Sequence, residues 1–391
     1  MANSAYTAAI QLLHEVVIPA GFMASVTDRD NYRRLWARDS VLAGLAALVS
    51  EDATLILASR NSLLTLAKYQ GAAGQIASNI ETTSGKVSYG GSAGRVDATL
   101  WFIIGCGQYY QQTHDSTTIE QLKPALRKAM AVAQAWEFND RGLLYVPDTG
   151  DWADEYTRGG YVLYDQLLYW RAQQDYIKIM DQPLPTIERL RNLIQINYWL
   201  APKATNSSYI YHQAVYNLAP TIPYWAESFS PFGYRSQFDS WANLLAGVFG
   251  LATQSQSNTV DKFIAEHFTE QTHYIFPAFY PVITPSDPSW TALKQSYSFD
   301  FKNKPHYYHN GGLWPMITGW YVIDLVRRGQ TALAKKYLDA IAQANGDTFY
   351  EYLTGDAYQP GGTVKLAWNA ALYILAERTL QAGKLLILTD T

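Results

Sequence analysis

Apolar residues recur at three- and four-residue spacing over 4–18, 38–50, 52–69, 96–113, 118–137, 162–180, 184–200, 238–252, 258–268, 314–330, 331–345 and 364–382, a periodicity that predicts twelve helices. The stretch TIEQLKPALRKAMAVAQAW shows it well. Leu122, Leu126, Ala129, Met130, Ala133 and Trp136 fall on one stripe, and Glu120 near the start suits the positive end of the helix dipole. No stretch outside these segments alternates long enough to make a major sheet.

The connections add topology. Those after the second, fourth, sixth, eighth and tenth helices are short, as at Glu51 or 114–117, whereas those after the first, third, fifth, seventh, ninth and eleventh are long. Loops that long are uncommon in a compact domain and usually carry function. Strict alternation places every long loop at one end of a closed ring of antiparallel helix pairs. The expected fold is therefore all-α, an (α/α)6 barrel of six hairpins, with residues 1–391 as one domain and a single loop-built mouth. Carboxylates gather on that end: Asp39 and Asp97 at loop-to-helix junctions, Asp148 to Glu155 in the third long loop, Glu227 in the fourth, Asp287 in the fifth and Glu351 in the sixth. All are expected to face the mouth.

Composition narrows the partners. Of 391 residues 48% are hydrophobic, the formal net charge is -4, and no run of Lys or Arg exceeds two. That gives no electrostatic footprint for nucleic acid or anionic lipid. Cys106 is the only cysteine, which excludes an internal disulfide. The N-terminal MANSAYTAAIQLLHEVVIP lacks a basic stretch and carries His14 and Glu15 where a signal needs an apolar core, and no apolar run of about 18 residues occurs. The reading is a cytoplasmic protein without membrane contact. Its 12 Trp, 29 Tyr and 14 Phe stand beside many carboxylates, a combination that suits a small carbohydrate, whose C–H faces pack on rings while its hydroxyls donate to carboxylates.

The densest acidic stretch is VPDTGDWADEYTRGG, 146–160. Its acids are spaced three apart, unlike the alternating ligands of a calcium loop, and the seven His residues offer no zinc spacing. Phosphate-cradling and dinucleotide-binding loops are absent as well. Carboxylate chemistry without metal or cofactor remains.

Asn31-Tyr32-Arg33-Arg34-Leu35-Trp36-Ala37-Arg38-Asp39 resembles a segment of the alkaline/neutral invertases, and its Trp-x-Arg-Asp resembles the amylo-α-1,6-glucosidase domain of glycogen-debranching enzymes. Val96-Asp97-Ala98-Thr99-Leu100-Trp101 is similar to a segment both families share. Phe238-Asp239 with Asn243, Tyr308-His309-Asn310-Gly311-Gly312-Leu313-Trp314-Pro315, and Glu351-Tyr352 with Trp368 are similar to consecutive invertase blocks. The resemblance spans about residues 31 to 370 and implies an inverting glycosidase on an (α/α)6 barrel, in agreement with the helix count. It implies Asp154, in Trp152-Ala153-Asp154, as general acid and Glu351 as general base. It also implies Arg38 and Asp39 as holders of sugar hydroxyls, with Tyr32, Trp36, Asp97, Trp101, Asp151, Trp152, His309, Asn310, Trp314 and Trp368 as further substrate contacts. One departure concerns sucrose: where the invertases carry a glutamate after the acid, this chain offers Leu163 or, with a shift, Asp165.

Inversion needs one protonated carboxyl and one carboxylate, about 6.5–9.5 Å apart. The expected activity is exo-acting hydrolysis of α-glucosides. Cleavage of sucrose, inverting phosphorolysis and sugar binding without catalysis are the alternatives. Asp151 is expected to hold Asp154 protonated by like-charge proximity or to bind a hydroxyl, and Asp148 to form a turn. His309 suits sugar contact or loop fixation, Trp101 and Trp314 a sugar platform or core packing, and Arg38 requires a carboxylate or ligand.

Overall fold

The computed structural model describes residues 2–91, 93–184, 186–204, 207–297 and 299–389. Its helices run α1 (Ala2–Glu15), α2 (Ala37–Ser50), α3 (Ala53–Lys68), α4 (Asp97–Thr113), α5 (Ser116–Ala135), α6 (Leu163–Met180), α7 (Ile187–Tyr198), α8 (Gln213–Leu218), α9 (Ser240–Val248), α10 (Gln254–His267), α11 (Trp290–Gln295), α12 (Pro315–Arg327), α13 (Thr331–Asn345) and α14 (Ala367–Ala382). Twelve correspond to the periodic segments. The other two, α8 and α11, are six-residue helices inside long loops, too short for a 3.6-residue period to register.

Helices α2, α4, α6, α9, α12 and α14 each pack on the next, and α14 packs on α2, so the ring closes. Burial explains which helices go inside. Every residue from Asp39 to Val49 in α2 and from Pro315 to Val326 in α12 is buried, as befits a helix with neighbours on all sides. By contrast α5, in the outer layer, buries the stripe Leu122, Leu126, Ala129, Met130 and Ala133 and leaves its other face to water. Inner helices close up where a side chain is missing. A Cβ on Gly247 of α9 would lie 2.6 Å from Asp324 of α12, and one on Gly107 of α4 would run into Asp175 of α6.

Every inner helix begins where a long loop ends, so the loops 16–36, 69–96, 136–162, 199–239, 268–314 and 346–366 share one end of the barrel. Strands among the described residues are two or three residues long, and they join neighbouring loops instead of building a sheet. Leu35 pairs with Ile80, Val162 with Ser228, Phe279 with Asp239, and Leu313 with Leu353. The two remaining junctions are closed by Val96 N donating to Gly150 O at 2.8 Å and Ala367 N to Ala24 O at 2.8 Å. A belt of backbone hydrogen bonds therefore runs around the whole mouth. No described helix is long and apolar enough to cross a membrane.

Gly107→Val should cost about 2–3 kcal/mol, because the added methyls have only the backbone and the Asp175 side chain of α6 to displace. Chemical denaturation measures it, and an unchanged midpoint would contradict the close packing of α4 on α6.

Candidate active site

The acidic third loop is held by a buried cation. Arg158 is 1% exposed, and its Nε stands 2.8 Å from Asp151 while its Nη1 donates to Asp239 at 2.8 Å. Asp239 also caps α9 by accepting from Ala242 N at 3.0 Å, so one guanidinium fastens the third loop to the start of an inner helix. Asp151 accepts from Ala153 N at 2.9 Å, which turns the backbone between them. Trp152 then drops into a wall of rings, 5.1 Å from Trp241, 5.8 Å from Phe279 and 4.8 Å from His309. The turn that buries Asp151 and Trp152 presents Asp154 to the open side.

A cavity of about 720 Å³ lies there, lined by Tyr32, Trp36, Arg95, Asp154, Lys302, Tyr308 and Glu351 among others. Asp154 receives Arg95 Nη2 on Oδ2 at 2.5 Å. Glu351 accepts the Tyr32 hydroxyl on Oε1 at 2.5 Å and Thr363 N–H on Oε2 at 2.9 Å. Burial pushes the Glu351 carboxyl up to about 7, and the Tyr32 and Thr363 hydrogen bonds restrain that rise. Burial holds the Tyr308 phenol well above its ordinary range, and Asp154 and then Glu351 are its strongest acidic neighbours.

Below this lies a second acidic group that the cavity does not reach. Asp151, Asp165, Glu227 and Asp239 surround Arg158, all buried, with Glu227 4.0 Å from its Nε. Four carboxylates face one guanidinium, and both oxygens of Asp165 and of Glu227 lack a hydrogen-bond partner. Loss of hydration drives protonation: Asp151 is raised to about 6, Glu227 to about 7 and Asp165 well above the usual carboxylate range, the last helped by the Asp151 charge. Among the described residues no acid or histidine group is arranged to hold a metal ion.

The sequence expectations separate accordingly. Tyr32, Trp36, Asp154 and Glu351 line the cavity. Arg38 lies outside the cavity lining and has the carboxylate partner it requires, Asp97 at 2.8 Å, with Asp39 at 3.8 Å and its guanidinium 5.3 Å from the Trp368 ring. Burial raises Asp39 to about 6. Not all the loop carboxylates face the mouth, which corrects that expectation. Asp97 turns to Arg38, Asp151 and Glu227 turn to Arg158, and Asp287 folds back on Thr284 N at 2.7 Å. Asp151 is committed to Arg158 and Ala153, so neither role expected of it, toward Asp154 or toward a hydroxyl, has a geometric basis. The turn expected at Asp148 is there, closed by Gly150 N on Pro147 O at 2.9 Å. Trp101 and Trp314 are fully buried. The Trp101 indole donates to Tyr164 at 2.8 Å and that of Trp314 to Tyr308 O at 3.1 Å, so both pack the floor and offer no open platform. Asn310 spends its amide on Ile283 and Asn303, stapling the fifth loop. His309 is 1% exposed and stacked 5.5 Å from Trp314, and burial drives its imidazole to the neutral form. Arg95, Arg158, Tyr308 and Lys302 were not foreseen. For Tyr308 a signal existed, since it opens the Tyr-His-Asn-Gly-Gly block; the three cations look in sequence like ordinary loop charges.

Residues 218–382 match the family described as alkaline and neutral invertase. A probable alkaline/neutral invertase D of Arabidopsis thaliana is 24% identical over 90% of this chain and 76% of its own length. The chloroplastic alkaline/neutral invertase E of the same plant is 26% identical over 74% of this chain and 52% of its own length. Among solved structures, the GH63 mannosylglycerate hydrolase of Thermus thermophilus superposes with a TM-score of 0.66 at 14% identity, covering 94% of this chain and 98% of that one. A bacterial glucoamylase bound to acarbose gives a TM-score of 0.66 at 15% identity over 98% of this chain and 56% of that one. The protein is a glycoside hydrolase on an (α/α)6 barrel. Within that class the chain resembles the alkaline and neutral invertases.

Two outcomes follow from the electrostatics. If Glu351 works as a base, kcat/KM rises with pH through about 7, where its carboxyl ionises. Tyr32→Phe removes a bond that favours the ionised form, so that limb moves upward and kcat drops roughly tenfold; an unmoved limb would exclude the coupling. Stability has the opposite sign. Asp151, Asp165 and Glu227 hold protons when folded that the unfolded chain has released, so stability falls as pH rises from about 4 through about 7. Calorimetry should find a lower Tm at about pH 8 than at about pH 5 and a weaker pH dependence in Asp165→Asn. A Tm that climbs over that interval would contradict the buried cluster.

Proposed function

We propose that the protein is an inverting, exo-acting hydrolase of α-glucosides, with Asp154 as general acid and Glu351 as general base. The observation that carries this reading is that these two carboxyls, from the third and sixth long loops, line one cavity in unlike settings: Asp154 in an ion pair with Arg95, Glu351 buried and held by two donors. Inversion requires one carboxyl to protonate the leaving oxygen and a second to activate water on the opposite face of the sugar. Arg95 fixes Oδ2 of Asp154 and leaves Oδ1 to carry the proton to the leaving oxygen. Tyr32 and Thr363 orient Glu351 so that a water on the far side of the anomeric carbon can lose its proton to it.

Exo-action is supported by the pocket's shape. The ring packing of Trp152, Trp241, Trp314 and Trp368 closes the barrel axis from below, so one terminal sugar enters and the rest of the substrate stays toward the opening. We read residues 1–391 as one catalytic domain because a continuous buried core runs from Ala9 to Leu388. Sucrose is disfavoured: Leu163 and Asp165, the two positions offered for the invertase glutamate, are both fully buried and outside the cavity lining.

Asp154→Asn should lose most activity on glucosides with poor leaving groups but much less on an activated aryl glucoside, which needs little protonation. Glu351→Gln should lose activity on both. Near-normal turnover by Glu351→Gln, or equal losses for Asp154→Asn on both substrates, would remove the pair from these roles, and acceleration by added phosphate would indicate phosphorolysis.

A further inference from the structure

The cations on the cavity wall differ in what holds them. Arg95 is taken by Asp154, and Arg34 donates to Asn79 at 3.1 Å and reaches Glu81 at 3.6 Å. Arg29 gives Nη1 to Gly362 O at 3.0 Å. Among the described residues no hydrogen bond or ion pair joins Lys302 Nζ to another group, and the ammonium lies over the Tyr308 ring, 5.4 Å from its centre. The next residue fixes that position. Asn303 is buried; its amide donates to Glu155 O, its Oδ1 accepts from His309 N at 3.0 Å, and its carbonyl accepts from Asn310 at 3.1 Å. Lys302 is therefore half-buried on a part of the fifth loop that its neighbour ties down.

Tyr308 leads from this ammonium to Glu351. Its ring packs 5.8 Å from that of Tyr352, the residue after Glu351, and Lys302 and Glu351 line the same cavity. Every loop around Glu351 presents a polar group. Tyr32 from the first loop and Thr363 N–H from the sixth donate to its two oxygens. Asp154 of the third loop is paired with Arg95 of the second, and Tyr308 and Tyr352 bring phenols that burial keeps neutral. Asp39 at the start of α2 and Glu155 beside Tyr308 bring negative charge, whereas Asp30 and Asp300 are exposed in water, where theirs is screened. Burial raises the Glu351 carboxyl, its two hydrogen bonds lower it, and Lys302 is the strongest of the charges that act on it, ahead of Asp39. We propose that Lys302 is a positioning residue of the reaction: from the fifth loop, and without an ion pair, its ammonium holds the base in the charged form that takes a proton from water. This rests on the reading of Glu351 as the base.

Two measurements separate failure of the inference from failure of that reading. The first needs no turnover: titration of the Glu351 carboxyl by carbon NMR, with Glu351→Gln identifying its signal. In Lys302→Met the carboxyl should titrate about half a pH unit higher than in the native enzyme, in Lys302→Glu higher still, and in Lys302→Arg at the native position. The second is the pH profile of kcat/KM. At about pH 6, below the limb, Lys302→Met should be about threefold slower than the native enzyme, and the deficit should shrink as pH rises past the limb. A Glu351 carboxyl that titrates alike in the native enzyme and in Lys302→Met, a Lys302→Arg variant that behaves as Lys302→Met does, or a loss of kcat/KM that is equal at every pH would overturn the proposal. A carboxyl that moves while the kinetic limb stays in place would leave the action of Lys302 on Glu351 standing and remove Glu351 from the role of base.

Discussion

The mouth of this barrel depends on a guanidinium that no solvent reaches. Arg158 spans Asp151 in the third loop and Asp239 at the start of α9, and that link decides the path of Trp152, Ala153 and Asp154. Removing one partner of a buried pair leaves a charge without compensation, at a cost of about 3–5 kcal/mol. The cluster is also overloaded with acid, since Asp165 and Glu227 bring carboxyls with no hydrogen-bond partner. Protons supply the balance, which couples the shape of the third loop to pH.

A closed helix ring gives this arrangement its setting. Because the inner helices pack on all sides, their starts are fixed, and each long loop is tied to its neighbours by backbone hydrogen bonds. Polar side chains on such loops can be held where no sheet or helix would put them. Two layers result. The lower holds ion pairs of Arg38 and Arg158 among tryptophans; the upper holds Asp154, Glu351, Tyr32 and Tyr308 around open space. The proposed chemistry uses the upper layer and leaves the lower to position it.

Much of the fold was legible because the inner and outer helices each leave an apolar pattern, and because long and short connections alternate. Helices α8 and α11 escaped, since six residues carry no periodic signal. Loop membership of the carboxylates was legible too, but their direction was not. Asp151 and Asp154 are three residues apart and point to opposite layers, a difference set by the Asp151–Ala153 turn and by Arg158, a residue distant from Asp239 in sequence. Arg95 and Lys302 read as solvated charges until the loops were closed around them. Asn310 and Trp314 lie in the segment that matches the invertase family, yet their polar atoms are spent on the loop itself.

The central claim is that Asp154 and Glu351 cleave by a single displacement with water. The most direct measurement is proton NMR of the sugar released from an α-glucoside in the first minutes, before the anomers equilibrate. The account predicts the β-anomer first. Release of the α-anomer would show a double displacement and contradict the assignment of Glu351 as a base.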